Sequence, residues 1–487
     1  MIGLIKLGVL TLMLGVAFLT EGCTTNPATG EQQFSVISQS QEKSIGASNH
    51  QAILDEYGGL YNDSKIQSYV SDIGQRLVKV SETPNEQFRF FVVDSPEFNA
   101  FAVPGGYIYM TRGALTVATS EAEVASILAH EIGHITARHG ASRQTTGVLT
   151  GIGAAILQNV VNAPGLGDAL NLGSNLYMSS YSRDQEREAD TLGIRYLHRA
   201  GYDPYAAARM FGQLYALEQY ESATNPDKAN SSAYFFRSHP LSQERIGNTR
   251  QEAAKYAKND SVNNHDSYLR TISGLEYGDS SAQGFVRDGK FIHPSLGFSF
   301  MVPSGYDVVN KPQQVVIARK SGPMAIFDGT RQPGGIDPVT YVRDFWLKGK
   351  NADPVEAVTV NGMAAATSTV RGTVNGAPTS VRVMAIAYSP QDIFRFQVAV
   401  PSSISAGELD QLKRMTYSLQ PLTAADKAQI KPMRIAIVTA KAGDTVNSLG
   451  ASMSVSAKHN KPALFRVING LNNGESVVTG QQYKVIY

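Results

Sequence analysis

The sequence predicts an α+β multidomain protein: a mainly helical first unit, then an antiparallel β-sheet/helix module, then a short third unit. Three observations carry this expectation. With 487 residues the chain exceeds what one hydrophobic core normally organises. Up to about residue 275 apolar residues recur at helical spacing between recognisable caps, whereas from about 284 they gather in short β-branched and aromatic runs. Acidic and basic residues nearly balance, 42 against 43, so the net charge is +1 and no field favours nucleic acid.

At the N-terminus Lys6 precedes a short apolar run that stops before Gly22-Cys23, the pattern of a signal peptide over residues 1–22 rather than of a membrane span. Cys23 is the only cysteine, so it has no internal disulfide partner. Its position resembles a bacterial lipoprotein cleavage site, although Leu19 stands one place further from it than usual and Glu21 is an odd occupant. That resemblance implies lipidation of Cys23, and Thr24 after it resembles an outer-membrane destination in a Gram-negative cell. Plain signal cleavage and an uncleaved anchor are the alternatives. Residues 23–37, with Asn26-Pro27-Ala28-Thr29-Gly30, read as a tether.

The first folded unit is expected over 38–275, with helices near 38–56 and 64–81 and a strand from Phe88 to Val93. Pro104-Gly105-Gly106 followed by Tyr107-Ile108-Tyr109 marks a hairpin. Ser120 and Glu123 then form a capping-box pattern, and Gly140 stands where the helix should end. The helix between them is apolar and Ala-rich, and contains His130-Glu131-Ile132-Gly133-His134. Residues four apart share a helix face, so both imidazoles can reach one ion, and Glu131 is placed to act on a water rather than to bind the metal. Unpartnered in such a helix, these three side chains would be costly.

A catalytic zinc site takes three protein ligands, and Glu186 is the best third candidate. It begins Glu186-Arg187-Glu188-Ala189-Asp190, on a helix capped by Ser182 and Gln185 and ended by Gly201. Glu186 and Asp190 share a face, so one could bind metal while the other orients a ligating histidine. Periodicity alone reads equally well as a solvated charged face. Asp203-Pro204 starts a further helix.

These motifs together resemble the gluzincin metallopeptidases of the CaaX prenyl protease, HtpX and BepA type, in which H-E-x-x-H is followed by E-x-x-x-D. Phe98-Asn99-Ala100-Phe101-Ala102 with the hairpin after it is similar to that family's substrate-binding edge strand, and Ser238-His239-Pro240 with Arg245 to its downstream motif. The resemblance implies a zincin metalloprotease domain holding one zinc ion per chain through His130, His134 and Glu186, with Asp190 behind them. It implies Glu131 as general base and His239 and Arg245 as stabilisers of the developing oxyanion. His239 can alternatively be a fourth zinc ligand, or simply order the turn before Pro240. Asn99 and Ala100 are the expected substrate-binding residues, holding an extended peptide by main-chain hydrogen bonds.

Residues 147–180 include an apolar, glycine-rich stretch that Gln158, Asn159 and Asn162 interrupt, favouring a mobile lid over a membrane-dipping segment. The second unit, 284–422, has strand character at Gly297–Phe300, Gln314–Ala318, Val381–Ala387 and Phe394–Val400, with a helix over Glu408–Leu419. It resembles the PsbP/Mog-like modules, and no His, Cys or paired-carboxylate constellation marks it for chemistry. In the third unit, 430–487, Ala442-Gly443-Asp444-Thr445-Val446 and Phe465-Arg466-Val467-Ile468-Asn469-Gly470-Leu471 resemble a small LysM-like βααβ domain. That resemblance implies contact with peptidoglycan, and use of the fold only for packing is the alternative.

The expected function is therefore a periplasmic zinc endopeptidase, anchored by lipid, that hydrolyses misfolded or misassembled envelope proteins. A zinc-dependent chaperone or assembly factor is the competing reading, and a peptidoglycan hydrolase a third. Glu131 favours the enzyme, because a binder needs no such carboxylate in an apolar helix.

Overall fold

The computed structural model describes residues 23–487 except 36–37, 144, 146–179, 225–232, 257–259, 320–321, 333–334, 375–376 and 457–458. The signal peptide over 1–22 and the lid expected at 147–180, but for its last residue, lie outside the described residues. Two compact units form where three were expected: one from residues up to 54 with 60–278 and 433–487, the other from 55–59 and 279–432.

In the first unit a short hairpin of β1 (Cys23–Thr25) and β2 (Gln32–Phe34) precedes α1 (Gln39–Glu56). Helix α2 (Ser64–Val78) starts at Asp63, whose side chain accepts the Ile66 amide, and buries Ile66, Val70, Ile73 and Leu77 along one stripe. A three-stranded sheet follows in the order β3 (Arg89–Val93), β5 (Tyr107–Thr111), β4 (Ala100–Val103), with β3 parallel and β4 antiparallel to β5. The β4–β5 turn needs its glycines: Gly105 and Gly106 have φ of 87° and 86°, and a Cβ on Gly106 would meet the Gln87 carbonyl at 2.2 Å.

After α3 (Arg112–Val117), Ser120 caps α4 (Glu121–Thr136) by accepting the Glu123 amide. Only half of the expected box forms, because the Glu123 carboxylate instead takes the Thr119 amide at 2.6 Å and the Thr119 hydroxyl. Helix α4 also stops before Gly140: Ala137 is its C-cap, Arg138 takes the left-handed conformation at φ 55°, and helical structure resumes at His139. The buried Glu42–Arg138 ion pair, 2.9 Å, holds that turn. Helix α5 (Arg183–Arg199) has both halves of the Ser182–Gln185 box and ends before Gly201 at φ 82°. Helices α6 (Ala206–Thr224), α7 (Ala233–Ser238), α8 (Gln243–Ala254) and α9 (His265–Ile272) complete this part.

The C-terminal residues fold as β6 (Ile435–Thr439), α10 (Val446–Ser452), α11 (Lys461–Ile468) and β7 (Gln482–Ile486), with β6 and β7 antiparallel. They belong to the first unit because Leu464, Phe465, Ile468 and Val485 enter the same core as Leu214 and Leu217 of α6. Lys484 is fully buried there, its Nζ donating to the carbonyls of Thr116, Val117 and Ala118 at the end of α3. A helix C-terminus presents unsatisfied carbonyls, which is the environment a buried ammonium requires.

The second unit has a seven-stranded antiparallel sheet in the order Glu356–Val360, Met363–Val374, Ala377–Ala387, Asp392–Pro401, Met324–Arg331, Gln314–Ala318, Asp307–Lys311. One face packs Phe327, Phe394 and Phe396 against Phe291, Phe298 and Phe300 of a four-stranded sheet and against the helix Ala406–Tyr417. The other carries a π-helical turn, Tyr341–Trp346, over Val383, Ala385 and Ile393.

Candidate metal centre

Two glycines let α4 and α5 cross closely. A Cβ on Gly133 would lie 3.1 Å from the Ala189 carbonyl, and one on Gly193 would lie 3.2 Å from the His130 amide nitrogen. This approach brings the face bearing His130 and His134 onto the face bearing Glu186 and Asp190. The Nε2 atoms of His130 and His134 are 3.0 Å apart. Glu186 reaches them with Oε2 3.6 Å from the first and Oε1 3.4 Å from the second. From the end of α7, His239 adds Nδ1 at 3.2 Å from His130 Nε2 and 3.0 Å from Glu186 Oε1. All four side chains are buried, and one donor atom from each lies within 4.8 Å of the others.

The donor set fits a zinc ion. Ligand atoms about 2.0–2.1 Å from a tetrahedral zinc stand roughly 3.4 Å apart, close to the separations found. Burial holds the His134 imidazolium well below its ordinary range, so this ring is the neutral donor that a metal requires. Burial pulls His130 in the same direction, but Asp190 and Glu186 outweigh it and raise its pKa. Glu186 stays ionised far into acid despite its burial, because His239, His134 and His130 surround it.

Glu131 lies differently. It is fully buried and neither carboxylate oxygen has a hydrogen-bond partner; His239 Nε2 stands 3.5 Å from Oε1. Burial therefore raises its pKa, partly offset by His239 and His130. An orphaned buried carboxylate of this kind is poised for a partner the protein itself does not supply.

Asp190 places Oδ1 3.0 Å from His130 Nδ1 and receives two hydrogen bonds from Arg245, at 2.7 and 2.8 Å. Arg245 also meets Glu186 Oε2 at 2.5 Å and the Pro240 carbonyl at 3.1 Å. The structure thus brings Arg245 behind the ligand carboxylates rather than beside Glu131. Asn99 and Ala100 are buried, and the Asn99 amide and carbonyl bond to Thr111. Strand β4 is an edge of its sheet, and its residue Ala102 lies near Glu131. Cys23 opens β1 and pairs with Phe34, away from these side chains in sequence.

Sequence reasoning missed His139, Glu188 and Tyr181. His134 Nδ1 lies 2.8 Å from His139 Nδ1, whose Nε2 lies 3.1 Å from Glu188 Oε2, and the Tyr181 ring stacks on His134 with centroids 3.7 Å apart. The spacing of five between the histidines carries no helical signal, and the turn at Arg138 was not foreseen.

Fold and donor set are those expected of a gluzincin-type metallopeptidase site. Residues 64–253 match Peptidase family M48. The chain is 28% identical over 323 residues to the Beta-barrel assembly-enhancing protease of Escherichia coli (strain K12), covering 62% of this chain and 64% of that protein. It is 33% identical over 205 residues to the Putative beta-barrel assembly-enhancing protease of Vibrio cholerae serotype O1, covering 40% of each. It is 28% identical over 226 residues to the Mitochondrial metalloendopeptidase OMA1 of Schizosaccharomyces pombe, covering 45% of this chain and 63% of that one. The chain therefore spans less than two thirds of the length of these relatives.

Proposed function

We propose that this chain is a zinc metalloendopeptidase that cleaves extended segments of misfolded or misassembled proteins in the bacterial cell envelope. The observation that carries the reading is the pairing of a convergent His130–His134–Glu186 donor set with an orphaned, buried Glu131 on the same helix. Zinc held by that set would supply Lewis acidity to a scissile carbonyl and make a nearby water more acidic. Glu131 takes the proton from the attacking water and hands it to the leaving amine. Its raised pKa suits both halves of that transfer. Main-chain groups of β4 from Ala100 onward hold the substrate as an added strand, while the Asn99 main chain, taken up by Thr111, fixes where that strand begins. His239 stands among the donors with Nδ1 and turns Nε2 toward Glu131, which supports a fourth-ligand role at rest and a stabilising role once substrate displaces it. Arg245 positions Glu186 and Asp190.

The envelope setting rests on the Escherichia coli and Vibrio cholerae relatives, whose names concern β-barrel assembly. Lipidation of Cys23 fits that setting, and among the described residues no helix is long and apolar enough to cross a membrane. Residues 430–487, with elements in the order β-α-α-β, are read as a LysM-like element that contacts peptidoglycan. Residues 284–422 are read as a PsbP/Mog-like scaffold.

The test is cleavage of a permanently unfolded protein by Glu131→Gln. Proteolysis should fall about 100- to 10,000-fold while zinc stays near one per chain. Full activity with zinc retained would overturn the reading.

A further inference from the structure

The geometry points to His139 and Glu188 as positioning residues that fix the second ligand histidine, a role that rests on the metal-site reading above. His134 turns Nε2 to His130 and Glu186, and Nδ1 to His139. A ligating imidazole must present a bare Nε2, so His134 carries its proton on Nδ1 and donates it. His139 can accept only on a bare Nδ1, which puts its own proton on Nε2, aimed at the Glu188 carboxylate. Each link in the row has one permitted direction. The row ends on a carboxylate whose side chain is 31% exposed, while the His139 side chain is 3% exposed.

His130 receives the same support from Asp190 without an intermediary, at 3.0 Å. Both ligand imidazoles are thus held from behind by a carboxylate of α5, one directly and one through a histidine. On an unbroken helix, a residue five positions on would point about 140° away from His134. The left-handed turn at Arg138 is what returns His139 to its neighbour.

Zinc affinity of the full chain, measured by competition with a chromophoric chelator, together with the melting temperature of the metal-free protein, tests this. His139→Ala should weaken zinc binding about 10- to 100-fold with metal-free melting unchanged. His139→Asn, whose amide oxygen can accept the His134 Nδ1–H, should recover most of that loss. Glu188→Ala should weaken binding in the same direction by less. Undiminished affinity in His139→Ala, beside a wild type that binds one zinc, would overturn the inference. Failure of the wild type to bind zinc would instead sink the metal-site reading. Should His139→Ala melt early, Glu188→Ala decides: wild-type affinity in that variant, folded, overturns the positioning role.

Discussion

The two compact units bury polar groups in opposite ways. In the first, His130, Glu131, His134, Glu186 and His239 are all at most 5% exposed, around one helix crossing. In the second, no Asp, Glu, His, Lys or Arg among the described residues is buried; its core is built from phenylalanines and aliphatic side chains, with a few buried serines and threonines. Among the described residues even its least exposed ion pair, Arg395 with Asp328 at 2.7 Å, stays partly exposed. Gathering titratable groups out of water destabilises a fold by several kcal/mol unless they compensate one another or a ligand does. The unit that accepts this penalty is the one organised for chemistry, and the unit that avoids it is organised for packing.

That contrast can be broken residue by residue, since each unit has its own reporter. Trp346, the only tryptophan, packs under Arg395 in the second unit, so its fluorescence follows that unit; release of bound zinc follows the first. Arg245→Met should have the largest effect, about 4–5 kcal/mol on the first unit, because Asp190 and Glu186 would lose their buried counter-charge. Urea unfolding followed by zinc release measures it, and an unmoved midpoint would show that the charges compensate otherwise. Phe396→Ala should destabilise the second unit by about 3–4 kcal/mol, since its fully buried ring packs against Phe327 and Phe300. The Trp346 transition should shift and zinc binding should not; a matching loss of zinc would mean that the units are not energetically separate.

The metal helix was legible in the sequence because two constraints coincide there: a ligand spacing set by the helical repeat and a cap at Ser120. Glu186 was legible only as half of an ambiguous face, and the close crossing at Gly133 and Gly193 resolves it in three dimensions. The end of α4 was misread, because a glycine signal at Gly140 was outweighed by Arg138, whose ion pair with Glu42 stabilises a conformation arginine rarely takes. That error hid His139. The third unit dissolved into the first because nothing in local pattern shows which core an apolar face will join, whereas Lys484 shows it at once in the fold.

The smallest expected effect concerns the nearest thing to a buried charge in the second unit. Burial of His293 against Phe298 pulls its pKa from 6.5 to about 4, and its Nδ1 accepts the Leu296 amide, which only the neutral ring allows. Between those values the unfolded chain binds a proton that the folded unit refuses. The contribution is therefore complete above pH 6.5 and is lost as pH falls through 4. The shift bounds the loss at about 3 kcal/mol, and partial exposure brings it to about 2. Urea midpoints read from Trp346 at pH 7 and pH 4.5 should differ by that much more in the wild type than in His293→Asn, which keeps an acceptor but cannot titrate. Equal losses in both would place the acid sensitivity elsewhere. They would also remove the last sign that this unit carries a strained polar group, leaving the contrast between the two units sharper still.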